Sequence, residues 1–179
     1  FKSHKVLCAA NSVEKTFTSS GTTGSITSKH LVTDIKLYED SYTKGFNHFY
    51  GDIEDYVVLA LLPSYLERDG SSLIYMANDL IVKSKHPESG FYLNNLEDLA
   101  QKLQQLEAKQ QKTLLIGVSF ALLDLVEQFQ FSLKHTLVME TGGMKGRRKE
   151  IIRRELHNIL QSGFGVTKIH SEYGMTELL

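Results

Sequence analysis

The sequence predicts an α/β fold built on a mostly parallel sheet with helices on both faces. Three observations carry that expectation. From Thr113 onward, strand-like apolar runs alternate with helix-like amphipathic stretches, the pattern of repeated strand–helix–strand units. The run Tyr56-Val57-Val58-Leu59-Ala60-Leu61-Leu62 is apolar without alternation, as a strand covered on both faces must be, and Pro63 ends it. Glycine-bearing segments follow the late strands, and ligands of such sheets sit beyond the carboxyl ends of the strands.

Taken in order, Lys5-Val6-Leu7 and Lys15-Thr16-Phe17-Thr18 read as short strands flanking a polar turn. The hydroxyl- and glycine-rich stretch Ser19-Ser20-Gly21-Thr22-Thr23-Gly24-Ser25 has no apolar periodicity and reads as a loop. Residues 33–50 carry Ile35, Leu37, Phe46 and Phe49 on a broken helical pattern, with Asp34 near its start. A helix is expected over 71–83, with Leu73, Met76, Leu80 and Ile81 on one face. Another is expected over 96–109, where Leu96, Leu99, Leu103 and Leu106 are spaced three and four apart. That stripe is shorter than the roughly three or four heptads a coiled coil needs, so it reads as a helix packed on a core.

Three alternations follow. Thr113–Val118 reads as a strand leading into a helix over 120–129. Thr136–Glu140 reads as a strand leading through Thr141-Gly142-Gly143 into a helix over 149–161. Val166–His170 reads as a strand that opens into the terminal segment.

Composition narrows the functional classes. The 179 residues suit one domain, and 41% hydrophobic content is enough for an ordinary core. Lysine and arginine total 20 against 21 acidic residues, a net charge of −1 that offers nucleic acid or an anionic membrane no whole-domain attraction. The single cysteine, Cys8, excludes an internal disulfide and fits a reducing compartment. With no apolar run long enough to cross a bilayer and no signal peptide, a soluble cytoplasmic protein is expected. The first residue is Phe1, and the last segment, Glu172-Tyr173-Gly174-Met175-Thr176-Glu177-Leu178-Leu179, ends with no helix to close it, so residues 1–179 read as an incomplete domain.

Two segments carry chemistry. In Ser19-Ser20-Gly21-Thr22-Thr23-Gly24, the glycines let the backbone approach a phosphate and the hydroxyls and amides can donate to its oxygens. The spacing is not that of a Walker A loop, and by itself the composition favours a flexible solvent turn. In Tyr173-Gly174-Met175-Thr176-Glu177, a tyrosine can stack on a purine, a threonine can bond a phosphate and a glutamate can ligate Mg²⁺, a hard cation that prefers oxygen.

Together, in this order and at this separation, the two segments resemble the adenylate-forming superfamily of acyl-CoA synthetases, luciferases and peptide-synthetase adenylation domains. A narrower likeness comes from Phe1-Lys2-Ser3-His4-Lys5-Val6, from Leu62-Pro63-Ser64-Tyr65-Leu66-Glu67-Arg68 and from Thr141-Gly142-Gly143-Met144-Lys145-Gly146-Arg147. These are similar to acyl-protein synthetases of the bacterial bioluminescence fatty-acid reductase type. The resemblance implies an incomplete N-terminal adenylate-forming domain without its C-terminal domain. It also implies ATP and Mg²⁺ as cofactors, a fatty acid or other carboxylic acid as substrate, a protein cysteine as acyl acceptor, and an acyl reductase or acyltransferase as partner. By the same likeness, Ser19, Ser20, Gly21, Thr22, Thr23 and Gly24 hold the ATP phosphates, while Gly142, Gly143, Tyr173 and Gly174 lie against adenine. Thr176 meets the α-phosphate and Glu177 holds the metal, these two being the catalytic pair.

The chain departs from the superfamily after Gly24, where Ser25-Ile26-Thr27-Ser28-Lys29 replaces the usual proline and lysine and leaves no clear role for Lys29. The ribose-binding aspartate, the hinge, the catalytic lysine and the late acceptor cysteine are not in these 179 residues. A phenylacetate-type ligase that acylates coenzyme A, and a non-catalytic interaction domain of the same fold, are the competing readings. The basic cluster of Lys145, Arg147, Arg148, Lys149, Arg153 and Arg154 reads as a solvated helix face, with an anion contact as the alternative; the expected apolar face of that helix is Ile152, Leu156, Ile159 and Leu160. No histidine pair has zinc-ligand spacing with a cysteine, so no structural metal is expected. His30 and His170 read as surface or hydrogen-bonding residues, and Cys8 as an inert small side chain.

Overall fold

The computed structural model describes residues 12–19, 28–63, 70–93, 95–144 and 146–174; the expected strand at Lys5–Leu7 lies outside them. Strands β1 (Lys15–Thr18) and β2 (Lys29–Val32) pair antiparallel, with Thr18 opposite Lys29 and Lys15 opposite Val32. Five further strands form one all-parallel sheet: β3 (Val57–Leu61), β4 (Gly90–Tyr92), β5 (Thr113–Val118), β6 (Thr136–Thr141) and β7 (Ile169–Ser171), in the spatial order β4-β3-β5-β6-β7. The described residues also form five α-helices, α1 (Ile35–Tyr50), α2 (Ser72–Ser84), α3 (Leu96–Ala108), α4 (Ser119–Gln128) and α5 (Arg153–Phe164), and a short 3-10 helix at Ile53–Asp55. The protein is thus α/β, with a five-stranded parallel sheet flanked by helices.

These elements divide into two compact units. One contains β1, β2, α1 and most of α2; the other contains the parallel sheet with α3, α4 and α5. In the first, Phe17 is fully buried and meets Tyr38 and Tyr75 edge-on, at 5.5 and 5.6 Å between centroids. The Tyr42 hydroxyl donates to Asp79 at 2.5 Å and the Tyr75 hydroxyl to Glu39 at 2.5 Å. The carboxylates disfavour a second negative charge beside them: burial and then Asp79 raise the Tyr42 pKa, and the bond to Glu39 pushes Tyr75 up to about 12. Asp34 caps α1 by accepting the Lys36 amide.

The apolar face of α1 differs from the expected one. Leu37 and Phe49 are exposed, and the inward stripe is Tyr38, Tyr42 and Phe46, spaced four apart. A pattern count that treats tyrosine as polar misses this, because each ring packs while its hydroxyl finds a carboxylate.

In the second unit, every residue of β3 and β5 is buried, which explains their unbroken apolar sequence. The leucine stripe of α3 buries Leu99, Leu103 and Leu106 completely, each contributing about 1.5–3 kcal/mol of transfer free energy. Helices α4 and α5 meet at Gly163, where a Cβ would lie 2.4 Å from the Cβ of Val126. Gly165 ends α5 in the left-handed region at φ 67°.

Here too a face is corrected. Ile152 and Ile159 are exposed, because α5 starts at Arg153 and turns Leu156, Leu160, Gly163 and Phe164 inward. Strand β7 starts at Ile169 rather than Val166, since the preceding residues form the turn out of α5, with the Gln161 amide donating to the Thr167 carbonyl at 2.8 Å. Strands β2 and β4, four and three residues long, are too short to stand out as apolar patterns.

Candidate functional site

The strand order sets where chemistry can occur. The chain leaves β3 toward β4 on one side and leaves β5 toward β6 on the other, so the direction of winding reverses between β3 and β5. A crevice forms where neighbouring connections diverge, at the carboxyl ends of the strands. There β5 passes into α4 without a loop: Val118 is extended and Ser119 is already helical. Gly117 allows the sharp turn to pack, because a Cβ there would lie 2.7 Å from Leu122 Cδ2.

At the same edge, β6 presents Glu140, only 4% exposed despite its charge. Register places it between Gly117 of β5 and Ser171 of β7. The Ser171 hydroxyl donates to Glu140 Oε1 at 2.7 Å and the Ser119 hydroxyl to Oε2 at 3.1 Å. His157 Nε2 stands 3.5 Å from Oε1, and Arg153 Nε stands 3.8 Å from it. Serine donors and a nearby guanidinium are what a desolvated carboxylate needs to remain favourable. His157 Nε2 also lies 3.4 Å from Ser171 Oγ. Because one ring nitrogen faces both neighbours, serine, histidine and glutamate cannot form the two-nitrogen relay of a nucleophilic triad.

One residue further along, the Glu172 amide donates to the Glu140 carbonyl at 2.9 Å and extends the pairing of β7 with β6. The Thr141 hydroxyl donates to Glu172 Oε2 at 2.5 Å. Burial raises the Glu172 pKa, the Thr141 bond opposes this, the Glu140 charge adds to it, and the net direction is upward.

Gly142, Gly143 and Tyr173 leave the sheet from this edge. Gly142 has φ 70°, a conformation glycine adopts without strain, and a Cβ on Gly143 would meet nothing within 4 Å. Tyr173 is 75% exposed and Gly174 follows it. Since Glu140 pairs with Ser171, the two segments depart from adjacent strands at the same level. The structure therefore brings together Gly142, Gly143 and Tyr173 of the expected nucleotide site.

Ser19 has a different setting, at the end of β1. Its amide donates to the Ser28 carbonyl at 3.0 Å and its hydroxyl accepts the Ser28 amide at 2.9 Å, closing the β1–β2 pair. Ser20, Gly21, Thr22, Thr23 and Gly24 lie outside the described residues, as do Thr176, Glu177 and Cys8. Lys29 is exposed at the start of β2. Burial, with Lys168 nearby, lowers the pKa of His170 and favours its neutral form. Among the described residues, no group of three or more histidine, cysteine or acidic side chains could hold a metal ion.

The basic cluster is solvated at Arg147, Lys149, Arg153 and Arg154, as expected, whereas Arg148 is half-buried in a structural contact. Arg148 forks onto Asp124 and onto Glu127, the latter at 2.6 Å from both terminal nitrogens, and these acids raise its already high pKa. The Arg147 guanidinium sits 5.0 Å from the centre of the Phe120 ring. Both contacts tie the segment after β6 to α4. Sequence reasoning passed over Ser119, Glu140, His157, Ser171 and Glu172. The available signal was Glu140 itself, an acid at the end of a strand that begins Thr136-Leu137-Val138-Met139.

Comparison with protein-family models finds none that matches this chain, and a search among curated proteins finds no match.

Proposed function

We propose that this chain belongs to an ATP-dependent ligase that activates a fatty or other carboxylic acid as its acyl-adenylate and then passes the acyl group to a protein cysteine. One observation carries the reading. Gly142-Gly143 and Tyr173, separated by thirty residues of sequence, leave adjacent parallel strands at one level, beyond the carboxyl edge where such sheets take nucleotides. An exposed tyrosine ring, and a glycine at position 143 where an added Cβ would meet nothing within 4 Å, suit a purine plane, which needs a stacking face and a close main-chain approach.

In the reaction, a carboxylate oxygen of the acid attacks the α-phosphorus of ATP, and the bond to pyrophosphate breaks. A thiolate then attacks the acyl carbon and AMP leaves. The roles of this chain's residues are binding and orientation. Tyr173 and the 142–143 backbone would hold the base, Ser19–Gly24 would donate to the phosphates, and Thr176 would donate to the oxygen of the α-phosphate on which charge accumulates. Glu177 is the residue that would hold Mg²⁺, whose charge would screen the phosphates. Glu140 and Glu172 are poorer metal ligands, since both are committed to hydrogen bonds. No helix among the described residues is long and apolar enough to cross a membrane.

The test is ATP–pyrophosphate exchange by the whole protein, dependent on added fatty acid and Mg²⁺. Labelled acyl chain should then be found on protein rather than on coenzyme A. Glu177→Gln should lower the exchange rate about a hundredfold or more, and Thr176→Ala less, by about 1.5–3 kcal/mol of transition-state stabilisation. Exchange at normal rate and normal Mg²⁺ dependence in Glu177→Gln would overturn the assignment.

A further inference from the structure

The two segments assigned to the nucleotide are joined by a side-chain contact that the proposed chemistry does not use. Thr141 is the last residue of β6 and is buried; Glu172 is the first residue after β7. Their side chains meet at 2.5 Å, immediately before Gly142-Gly143 on one strand and Tyr173 on the other. The Glu172 amide to Glu140 carbonyl bond, at 2.9 Å, closes the same ladder from the backbone side. We propose that Thr141 and Glu172 form a clasp that sets the spacing between the 142–143 backbone and the Tyr173 ring, and that ionisation of Glu172 loosens it. Thr141 and Glu172 are positioning residues, acting through the loops that follow them.

The surroundings give the clasp its sensitivity. The groups near it are Glu140 on β6, which faces Glu172, and on α5 the Arg153 guanidinium and the His157 ring, which stand beside Glu140. Ser119 and Ser171 add neutral donors, and they too are spent on Glu140. Among the described residues Glu172 has one hydroxyl partner and a like charge as neighbour, and burial adds to that charge in favouring its proton in the closed form. When that proton leaves, a second carboxylate charge appears beside Glu140 at the strand ends. The clasp is therefore tightest below the ordinary carboxylate range and weakens as pH rises through the elevated pKa of Glu172. Only its consequence for nucleotide binding rests on the proposed function.

The experiment follows amide hydrogen exchange at Glu172 and Tyr173 between pH 5 and 8, corrected for intrinsic rates, with Mg-ATP affinity measured on the same samples. In the wild type, protection at Glu172 should fall as pH rises. Glu172→Gln keeps a hydrogen-bonding group without the charge, and its protection should stay level across the range. Thr141→Val keeps the shape without the hydroxyl, and should exchange about three- to tenfold faster at low pH, the loss expected for one hydrogen bond. Where ATP binds, Thr141→Val should weaken it by a similar factor, and Glu172→Gln should flatten its pH profile. Unchanged protection at Glu172 in Thr141→Val, or a wild-type pH dependence that persists in Glu172→Gln, would overturn the clasp. If protection changes as expected while no form of the protein binds Mg-ATP, the clasp stands and the nucleotide reading fails.

Discussion

The two ends of the parallel sheet are held by different means. At the amino end, backbone bonds carry the strands into register: the Val57 amide donates to the Lys112 carbonyl and the Thr113 amide to the His135 carbonyl, each at 3.0 Å. Glu107 accepts the Lys134 and His135 amides, and exposed pairs such as Lys85–Glu54 and Lys112–Asp55 finish the edge. At the carboxyl end, a buried glutamate gathers two serines, a histidine and an arginine, with a second acid one residue away. The first arrangement ends a sheet cheaply, since screened surface pairs contribute little and demand little. The second places a charge out of water, which is costly unless its partners are maintained. Polar groups are concentrated at the carboxyl ends of β6 and β7, and the carboxyl end of a parallel sheet is where a ligand site is expected.

Four substitutions and two titrations test that contrast. Leu115→Ala, in the fully buried middle of β5, should cost about 2–5 kcal/mol and unfold both ends in one transition in urea. Two transitions would show that the ends are separately stable. Gly163→Ala forces a methyl to within 2.4 Å of Val126 Cβ, and the shift of α5 should cost about 1–3 kcal/mol in thermal unfolding despite alanine's better helix propensity. A stabilised variant would mean that α4 and α5 can separate freely, and with them the placement of His157 and Arg153.

At the carboxyl end, Ser171→Ala removes the shortest donor to Glu140 and should lower stability by about 1–3 kcal/mol. At the amino end the sign reverses. Among the described residues, Thr136 Oγ1 is buried and has no hydrogen-bond partner. Thr136→Val should be neutral or stabilising by up to about 1 kcal/mol. Equal losses from both substitutions would erase the distinction between the ends.

The smallest effect is a titration. Lys102, and then Lys109, hold the Glu88 carboxyl below its ordinary range despite some desolvation. A depressed folded pKa gives stability that is present above the ordinary carboxylate pKa and lost as pH falls through the folded value. Glu88→Gln should therefore cost about 0.2–1 kcal/mol at pH 7 and nothing at pH 2. Glu172 runs the other way. Its raised pKa gives stability that is complete below the ordinary carboxylate value and lost as pH rises through the folded value. Replacing Glu172 by glutamine should thus raise stability at pH 8 relative to wild type, with the difference closing as the pH falls. The two acids give opposite slopes at the two ends.

The amino-acid sequence by itself determined the α/β class and the long elements. Tyr56–Leu62 suited a strand covered on both faces, because it is a short apolar run without alternation ended by Pro63, and Thr113–Val118 suited a strand in an alternation with helices. The leucines of α3 allowed one buried stripe, because helical spacing admits no other. Sequence also pointed to Gly142, Gly143 and Tyr173, since glycine and an aromatic after a strand are visible in one dimension. Tertiary structure alone decided that these residues leave neighbouring strands at one level, because strand order and register arise from packing between segments far apart in the chain. It alone decided that tyrosines, rather than Leu37 and Phe49, line the inner face of α1, where carboxylates satisfy their hydroxyls. It alone decided that Glu140 is buried, since a lone acid at a strand end looks the same in sequence whether it meets water or Ser119, Ser171 and His157. Periodicity records which side of an element avoids water, whereas the partners of this buried charge come from three different elements and leave no common pattern along the chain.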